Sequence, residues 1–337
     1  MTDVELHDLS VGGDVLERVT RCAQRALGAY DCHPGTTVRL LNVSENATYL
    51  VQDPSAGPSV LRVHRLGYHT EPAIASELAW MDALRAEAGV RTPRVLDATD
   101  GRRVVTAADE ASGERRSCVR FEFLPGTEPA DDPEHFAELG EITARMHQHA
   151  KQWPRPPGFA RFHWDYEAAF GARARWGRWQ DGIGVGPAER EMLGRLDAAL
   201  RSRLAAFGTG HDRYGLVHAD TRLANLLVDD GRISVIDFDD SGFSWYLYDA
   251  GTSVSFFEHE PQVPALMDAW LTGYRRVADL PAADEAEIWT FILFRRLLIV
   301  AWIGSHQAVD IAQELGAGYT RDSCDLAERY LSRAGTR

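Results

Sequence analysis

Acidic and amide side chains are concentrated in residues 216–240, at spacings that could place them around one reaction centre. His218 and Asp220 form an H-x-D pattern after two apolar residues, and Asn225 follows five positions after the aspartate. Asp237 closes a later apolar run. Carboxylate and amide oxygens are the ligands that hard divalent cations such as Mg²⁺ prefer. The pattern therefore predicts a site that holds Mg²⁺ and a phosphate group.

The element that must position these side chains is a hairpin. Apolar runs at 226–228 and 233–236 flank an Asp-Gly pair at 230–231, and this pair between two such runs is a strong signal for a tight turn. The turn brings the start of the first strand close to the end of the second. Asn225 and Asp237 are therefore expected to lie near the same point.

Composition limits the class of protein. The chain has 337 residues, which is long enough for two lobes with sizeable cores. Hydrophobic residues make up 45% of the chain and charged residues 26%, as in ordinary soluble globular proteins. The net charge of −14 argues against a nucleic-acid-binding surface and favours cationic partners or substrates.

Neither a targeting segment nor a cysteine-based site is predicted. The N-terminus has no basic start or apolar core, and no apolar run approaches the roughly 18 residues that span a bilayer. We therefore expect a cytoplasmic protein without a membrane or nucleic-acid partner. The cysteines have no CxxC spacing, so neither zinc nor disulfides are expected. They are Cys22, Cys32, Cys118 and Cys324.

The first 123 residues predict a mostly antiparallel sheet that carries one long helix. Helical spacing of apolar residues predicts helices over 14–28 and 71–88. Short β-rich runs predict strands at 38–43, 49–52, 60–64, 95–97, 103–107 and 118–123. The run Leu-Pro-Gly at 124–126 breaks the pattern, which places a boundary between an N-terminal lobe, 1–123, and a C-terminal lobe, 124–337.

After this boundary the chain is predicted to be mainly helical. Helical patterns cover 133–150, 187–206, 245–257, 262–278, 284–304 and 317–333. The predicted fold class is therefore α+β, with an antiparallel-sheet lobe followed by a helical lobe that carries the hairpin.

The segment from His218 to Asn225 resembles the catalytic loop of the protein-kinase-like superfamily. Asp-Phe-Asp at 237–239 stands where that superfamily keeps its metal-binding aspartate, although the glycine of the protein-kinase pattern is missing. With Tyr-Asp following at 248–249, the sequence is more similar to the aminoglycoside phosphotransferase and choline kinase branch, which includes homoserine-kinase-like and stress-response-kinase-like members. The resemblance covers roughly residues 35–330 and implies a two-lobed protein-kinase-like fold that uses ATP and Mg²⁺.

The resemblance also implies roles in the C-terminal lobe. Asp220 would orient the acceptor hydroxyl and accept its proton late in phosphoryl transfer, and Arg222 would offset charge in the transition state. Asn225 and Asp237 would ligate Mg²⁺. His218 and Asp249 would support the catalytic loop through hydrogen bonds rather than touch the substrate.

In the N-terminal lobe, the resemblance places Arg62 where kinases carry the strand lysine that grips the nucleotide phosphates. Glu77 would be its ion-pair partner, and arginine suits bidentate phosphate contact. Ser44, in the polar turn 44–48, occupies the place of the usual glycine-rich phosphate loop. The carbonyl of Glu122 and the amide of Leu124, in a segment similar to the kinase hinge, would meet the adenine edge.

The acceptor pocket is expected between the hairpin and the helices after residue 245. Its candidate residues are Asp239, Glu258 and Trp302, because acidic and aromatic groups suit an amine-bearing alcohol through ion pairing and cation–π contact. An aminoglycoside, an amino alcohol and a hydroxy amino acid all remain open as acceptors.

Other functions compete with a small-molecule kinase. Asp-Phe-Asp imitates the D-x-D motif of haloacid-dehalogenase-type phosphatases, but helices rather than alternating βα units follow it. A protein Ser/Thr kinase of the stress-response type is the main alternative, although Tyr248 follows Asp237 too closely for an activation loop ending in A-P-E. A nucleotide-binding pseudokinase is the second, which the intact Asp220 and Asn225 disfavour.

Overall fold

A computed structural model describes residues 13–43, 46–307 and 310–334. The helices are α1 (Gly13–Ala26), α2 (Glu71–Glu87), α3 (Pro133–Gln152), α4 (Tyr166–Phe170), α5 (Pro187–Phe207), α6 (Leu247–Ser253), α7 (Val263–Tyr274), α8 (Ala282–Glu285), α9 (Ile288–Ser305) and α10 (Asp310–Ala334). The strands are β1 (Thr37–Val43), β2 (Ala47–Asp53), β3 (Gly57–Val63), β4 (Val95–Leu96), β5 (Val105–Ala108), β6 (Arg115–Glu122), β7 (Tyr214–Val217), β8 (Leu226–Asp229), β9 (Arg232–Val235) and β10 (Gly242–Trp245).

The N-terminal sheet is antiparallel throughout. Its order is β1-β2-β3-β6-β4, with β5 also paired to β6. Neighbouring residues of a strand face opposite sides of a sheet. On β3, Leu61 and Val63 therefore pack into the apolar cluster beneath α1, whereas Arg62 lies on the other face and reaches Glu77 of α2. This alternation is what directs Arg62 towards the site.

Helix α2 links the sheet to the helical region. The Thr70 side chain caps its start by accepting a hydrogen bond from the Ala73 amide. Buried side chains of the helix, among them Leu78 and Trp80, belong to the same apolar cluster as α3, α5 and α9. The predicted boundary at 123/124 lies between the end of β6 and the start of α3, but apolar packing continues across it. The division into two lobes there stays a prediction.

The antiparallel sheet followed by a mainly helical region confirms the predicted fold class. Strand β10, which pairs with β7, was not predicted, and the helix expected over 245–257 is shorter, at Leu247–Ser253. The helix expected over 284–304 is divided into α8 and α9. An 18-residue window of the segment Ala282–Ser305 is apolar enough to span a membrane, but 83% of it is buried inside the protein, as in a core helix.

Candidate active site

Backbone hydrogen bonds to Asp249 hold the loop that follows β7. The fully buried carboxylate of Asp249 accepts from the amides of His218 at 3.1 Å and Ala219 at 2.7 Å. Ala219 has a φ of +67°, a left-handed conformation that costs energy for a residue with a side chain. The paired amides stabilise this turn, so that Asp220 is presented to the cleft.

His218 connects the same loop to the end of the hairpin. Its Nε2 contacts the carbonyl oxygen of Ile236 at 3.1 Å, and its Nδ1 accepts from the Asp220 amide at 3.2 Å. Burial lowers the pKa of His218, which favours a neutral ring with its proton on Nε2. In this form the ring donates to the carbonyl of Ile236, the residue before Asp237, and accepts from the amide of Asp220. It therefore connects the backbone of the two segments.

Three side chains hold both oxygens of the Asp220 carboxylate. Arg295 donates to Oδ1 at 2.6 Å, and Asn225 and Arg222 donate to Oδ2 at 2.7 and 3.3 Å. Burial alone would raise the pKa of Asp220, but Arg295 and Arg222 hold it below its ordinary value. An oriented, ionised Asp220 suits positioning of a hydroxyl better than strong proton abstraction.

Arg295, on α9, is a site residue that the sequence analysis missed. Its guanidinium is buried and also donates to Tyr248 Oη at 3.2 Å and Ser255 Oγ at 3.1 Å. An arginine in an otherwise apolar helix is costly to bury without a partner. The adjacent arginines at 295 and 296 within a predicted core helix were therefore a usable signal.

Asp237 opens into the cleft from a strained backbone position. Its φ is +58°, and its side chain is 46% exposed, with one oxygen 3.5 Å from Arg62 Nη1. Partial burial, together with the negative charges of Asp239 and Asp220, raises the pKa of Asp237 to about 6. Strain of this kind persists where the surrounding structure fixes a functional conformation.

The donor chemistry at Asp237 fits a divalent cation. Repulsion between carboxylates is relieved when a cation binds. Asn225 uses its amide nitrogen on Asp220, which leaves its oxygen as a ligand. Within the described part of the chain, no group of three His, Cys, Asp or Glu residues could hold a metal alone. Two protein ligands completed by phosphate oxygens and water are the usual arrangement for Mg²⁺.

Arg62 and Glu77 form a buried ion pair at 2.7 Å, with side-chain exposures of 7% and 0%. Burial alone would lower the pKa of Arg62, but Glu77 and the cleft carboxylates raise it above its ordinary value. The Arg62 Nε has no hydrogen-bond partner among the described residues. Arg62 is therefore fixed in place and retains donor capacity.

Arg161 holds the backbone of the Asp237–Asp240 segment. It is a second residue of this region that the sequence analysis did not predict. Its guanidinium donates to the carbonyl oxygens of Asp239 and, at 2.5 Å, Ser241. It also donates to the Ala73 carbonyl of α2 at 3.0 Å. One buried side chain thus connects the carboxylate segment to the helix that carries Glu77.

These elements enclose one cavity. Its lining combines the basic and metal-ligand side chains described above with further acidic and aromatic ones. The lining residues are Asn42, Asn46, Thr48, Arg62, Trp176, Asp220, Arg222, Asp237, Asp239, Asp240, Phe256, Arg295, Ile299, Trp302 and Ile311.

Two predicted nucleotide contacts, Glu122 and Leu124, do not line this cavity. A third, Ser44, lies outside the described residues, whereas Asn46 and Thr48 of the same predicted polar turn line the cavity. Glu122 and Leu124 lie outside the lining, and the Glu122 carboxylate binds the Arg94 side chain at 2.8 Å. Their backbone contacts with adenine stay a prediction.

The structure gives the three acceptor candidates different surroundings. Trp302 lines the cavity. Asp239 also lines it, and its Oδ1 lies 3.6 Å from His64 Nδ1 and 3.4 Å from His69 Nε2 without a hydrogen bond to either.

Glu258, the third acceptor candidate, does not line the cavity. Its fully buried carboxylate pairs with Arg296 and accepts from Tyr319 Oη at 2.9 Å, away from the cavity lining. The acidic residue type suggested an amine contact, whereas tertiary packing uses Glu258 in a buried ion pair.

The fold and the cleft define a kinase-like phosphotransferase. The model of the phosphotransferase enzyme family matches residues 37–285, and the chain belongs to that family. It is a phosphotransferase, as the sequence predicted.

Three relatives illustrate this relationship. The structure of a microcompartment-associated aminopropanol kinase has 50% sequence identity and a TM-score of 0.87, and the match covers 94% of this chain and 98% of that one. Amicoumacin kinase of Bacillus subtilis is 26% identical over 304 residues, 85% of this chain and 86% of that protein. Amicoumacin kinase hAmiN, in complex with AMP-PNP, Ca²⁺ and Ami, shares the fold at a TM-score of 0.74 and 22% identity, with 94% of each chain covered.

Proposed function

We propose that this protein transfers the γ-phosphoryl group of ATP, with Mg²⁺, to the hydroxyl of a small amine-bearing molecule, and that a short amino alcohol is the preferred acceptor. The observation that carries the proposal is the single cavity shared by Asp220, Asp237 and Arg62 and by an acidic and aromatic wall. The 50% identity with an aminopropanol kinase supports the choice of an amino alcohol over an aminoglycoside or a hydroxy amino acid.

Asp220 orients the acceptor in this mechanism. Its carboxylate accepts a hydrogen bond from the hydroxyl and directs the oxygen lone pair towards the γ-phosphorus. A bond forms between that oxygen and phosphorus, and the bond to the β–γ bridging oxygen breaks, with its electron pair leaving on ADP. The hydroxyl proton passes to Asp220 late in this step, when the oxygen has become acidic.

Cationic side chains stabilise the charge that moves during this transfer. Arg62 is held by Glu77 and faces the cavity, where it contacts phosphate oxygens. Arg222 lies beside Asp220, at 3.3 Å, and offsets charge on the transferring group. Asn225 and Asp237 would hold Mg²⁺, which would supply positive charge next to the phosphate oxygens.

Coupled measurement of ADP formation against an acceptor panel tests the proposal. The panel contains amino alcohols, hydroxy amino acids, aminoglycosides and a generic protein substrate, each with ATP and Mg²⁺. We expect the highest kcat/KM with a short amino alcohol and no turnover when Mg²⁺ is chelated. Turnover with the protein substrate alone would replace the proposal with a protein kinase, and nucleotide binding without turnover on any acceptor would indicate a pseudokinase.

A further inference from the structure

The carboxylates of the cavity are not equally compensated by positive charge. Asp220 is paired with Arg295 and Arg222, and Asp237 lies 3.5 Å from Arg62. Asp239 lies within 3.6 Å of ring nitrogens of two histidines. The fourth carboxylate of the lining, Asp240, forms no ion pair with a described Lys, Arg or His, and its side-chain partner is the Tyr68 hydroxyl. A carboxylate in a cleft without a cationic partner is a favourable place for a ligand cation.

Asp240 is nevertheless held in a defined orientation. Tyr68, in the connection between β3 and α2, donates its hydroxyl to Asp240 Oδ1 at 2.6 Å. Trp164 fixes the backbone by donating its indole N–H to the Asp240 carbonyl at 2.8 Å. Burial, together with the Asp220 and Asp239 charges, raises the pKa of Asp240 to about 7. A bound cation would relieve the same repulsion.

Neighbouring Asp239 shows why the two adjacent acids differ. Its side chain is 7% exposed and lies within 3.6 Å of ring nitrogens of His64 and His69. Asp240 has the Tyr68 hydroxyl as its direct partner instead, and Arg295 offsets its charge only at longer range. The cavity therefore offers one oriented carboxylate that forms no direct ion pair with a described residue.

Aromatic side chains form the apolar part of the same lining. Their rings already have partners: Arg295 lies over Trp176, Arg222 lies over Phe256, and Trp302 stacks on His306. The Asp240 carboxylate, rather than an aromatic face, is therefore the group left for a ligand cation. Asp220 lies in this cavity too, so a molecule that carries a hydroxyl and an ammonium group can meet one carboxylate with each.

We propose that Asp240 binds the ammonium group of the acceptor and that Tyr68 is the positioning residue that orients this carboxylate. The inference rests on the proposed function and deepens it: the site selects primary amines that donate N–H hydrogen bonds, rather than neutral diols. Asp240 is thus the residue that decides acceptor class, whereas Asp220 serves any hydroxyl.

The test compares 1-amino-2-propanol with 1,2-propanediol, its neutral analogue, by the ratio of their kcat/KM values. We expect Asp240→Asn to reduce this ratio by about 10²-fold, the scale for removing one partner of a desolvated charge pair. Tyr68→Phe should raise KM for the amine about threefold to tenfold with little change in kcat, since it removes one hydrogen bond to a charged group. Asp230→Asn, the same change at the exposed hairpin turn, should leave the ratio unchanged.

Calorimetric titration of the wild type and both variants with 1-amino-2-propanol separates this inference from the proposed function. Wild-type phosphorylation of the amine together with an unchanged ratio in folded Asp240→Asn would overturn the Asp240 assignment alone. If Asp240→Asn does not fold, Tyr68→Phe provides the test. An amine affinity equal to that of the wild type would then overturn the positioning role of Tyr68. Absence of both binding and phosphorylation of amines by the wild type would overturn both proposals.

Discussion

The two walls of the cavity are built in different ways. The wall that carries Asp220 and Asp237 comes from one stretch of about twenty residues, held by backbone hydrogen bonds and a hairpin. The second wall brings Trp176, Arg295 and Trp302 together from separate elements. The proposed phosphoryl-transfer residues Asp220 and Asp237 and the proposed acceptor carboxylate Asp240 all come from the first wall, whereas the second supplies aromatic rings and the arginine that holds Asp220. The first wall can therefore be predicted from neighbouring residues of the sequence, and the second depends on tertiary packing.

Replacement of Asp220 by Ala should have the largest effect on the first wall. We expect kcat to fall by about 10³-fold or more, because the hydroxyl loses its orienting and proton-accepting group. Nucleotide affinity should stay within about threefold, since Asp220 serves the acceptor. Steady-state kinetics and nucleotide titration measure both quantities. Turnover close to wild type would remove Asp220 from the reaction.

Replacement of Asp237 by Ala should affect the metal rather than the acceptor. We expect the Mg²⁺-dependent part of ATP affinity to disappear in calorimetric titration with and without the metal, because one of two protein ligands is lost. Asp229→Ala removes a carboxylate of the same hairpin outside the cavity and serves as the control. Equal Mg²⁺ dependence in Asp237→Ala and wild type would contradict the metal site.

Arg295 belongs to the second wall and holds Asp220 of the first, so its replacement tests whether the two walls are coupled. Arg295→Met should lower kcat by about 10-fold to 10²-fold, since the Asp220 carboxylate loses a charged hydrogen bond. Arg295 holds the pKa of Asp220 down, so its removal should raise that pKa and move the acid limb of the pH–kcat profile to higher pH. Arg295→Lys, which keeps the charge, should shift the limb less. An unmoved limb in Arg295→Met would show that the two walls act independently.

Glu258 should matter least for turnover and most for stability. Glu258→Ala leaves Arg296 buried without its carboxylate, so unfolding free energy should decrease by about 3–5 kcal/mol, measured by denaturant titration. The kcat per folded molecule should stay within about twofold, because Glu258 does not line the cavity. A large change in KM for the acceptor with unchanged stability would restore Glu258 as an acceptor ligand.

Sequence patterns predicted the fold where they were long or regular. Runs of β-rich residues located β1 to β3, and helical spacing located α2 and α3 within a few residues. Strand β10 was missed because four residues carry too little periodicity and its pairing with β7 joins distant segments. The short α8 and the start of α9 were merged because both continue one helical pattern.

The candidate site was predictable to the extent that its residues are neighbours in sequence. Asp220, Asn225 and Asp237 stand at fixed offsets in one hairpin region. Tyr68 and Trp176 have no local signal, because only tertiary packing brings them to the acceptor wall. Glu258 shows the converse, since a suitable residue type near the predicted pocket was used for a buried ion pair.

The most direct test of phosphoryl transfer at this cavity is phosphorus NMR of a reaction that contains the protein, ATP, Mg²⁺ and 1-amino-2-propanol. The account predicts that a phosphomonoester signal grows in equal amount with ADP, and that neither appears with Asp220→Ala. Release of inorganic phosphate without a phosphomonoester, or an unchanged product signal from Asp220→Ala, would contradict it.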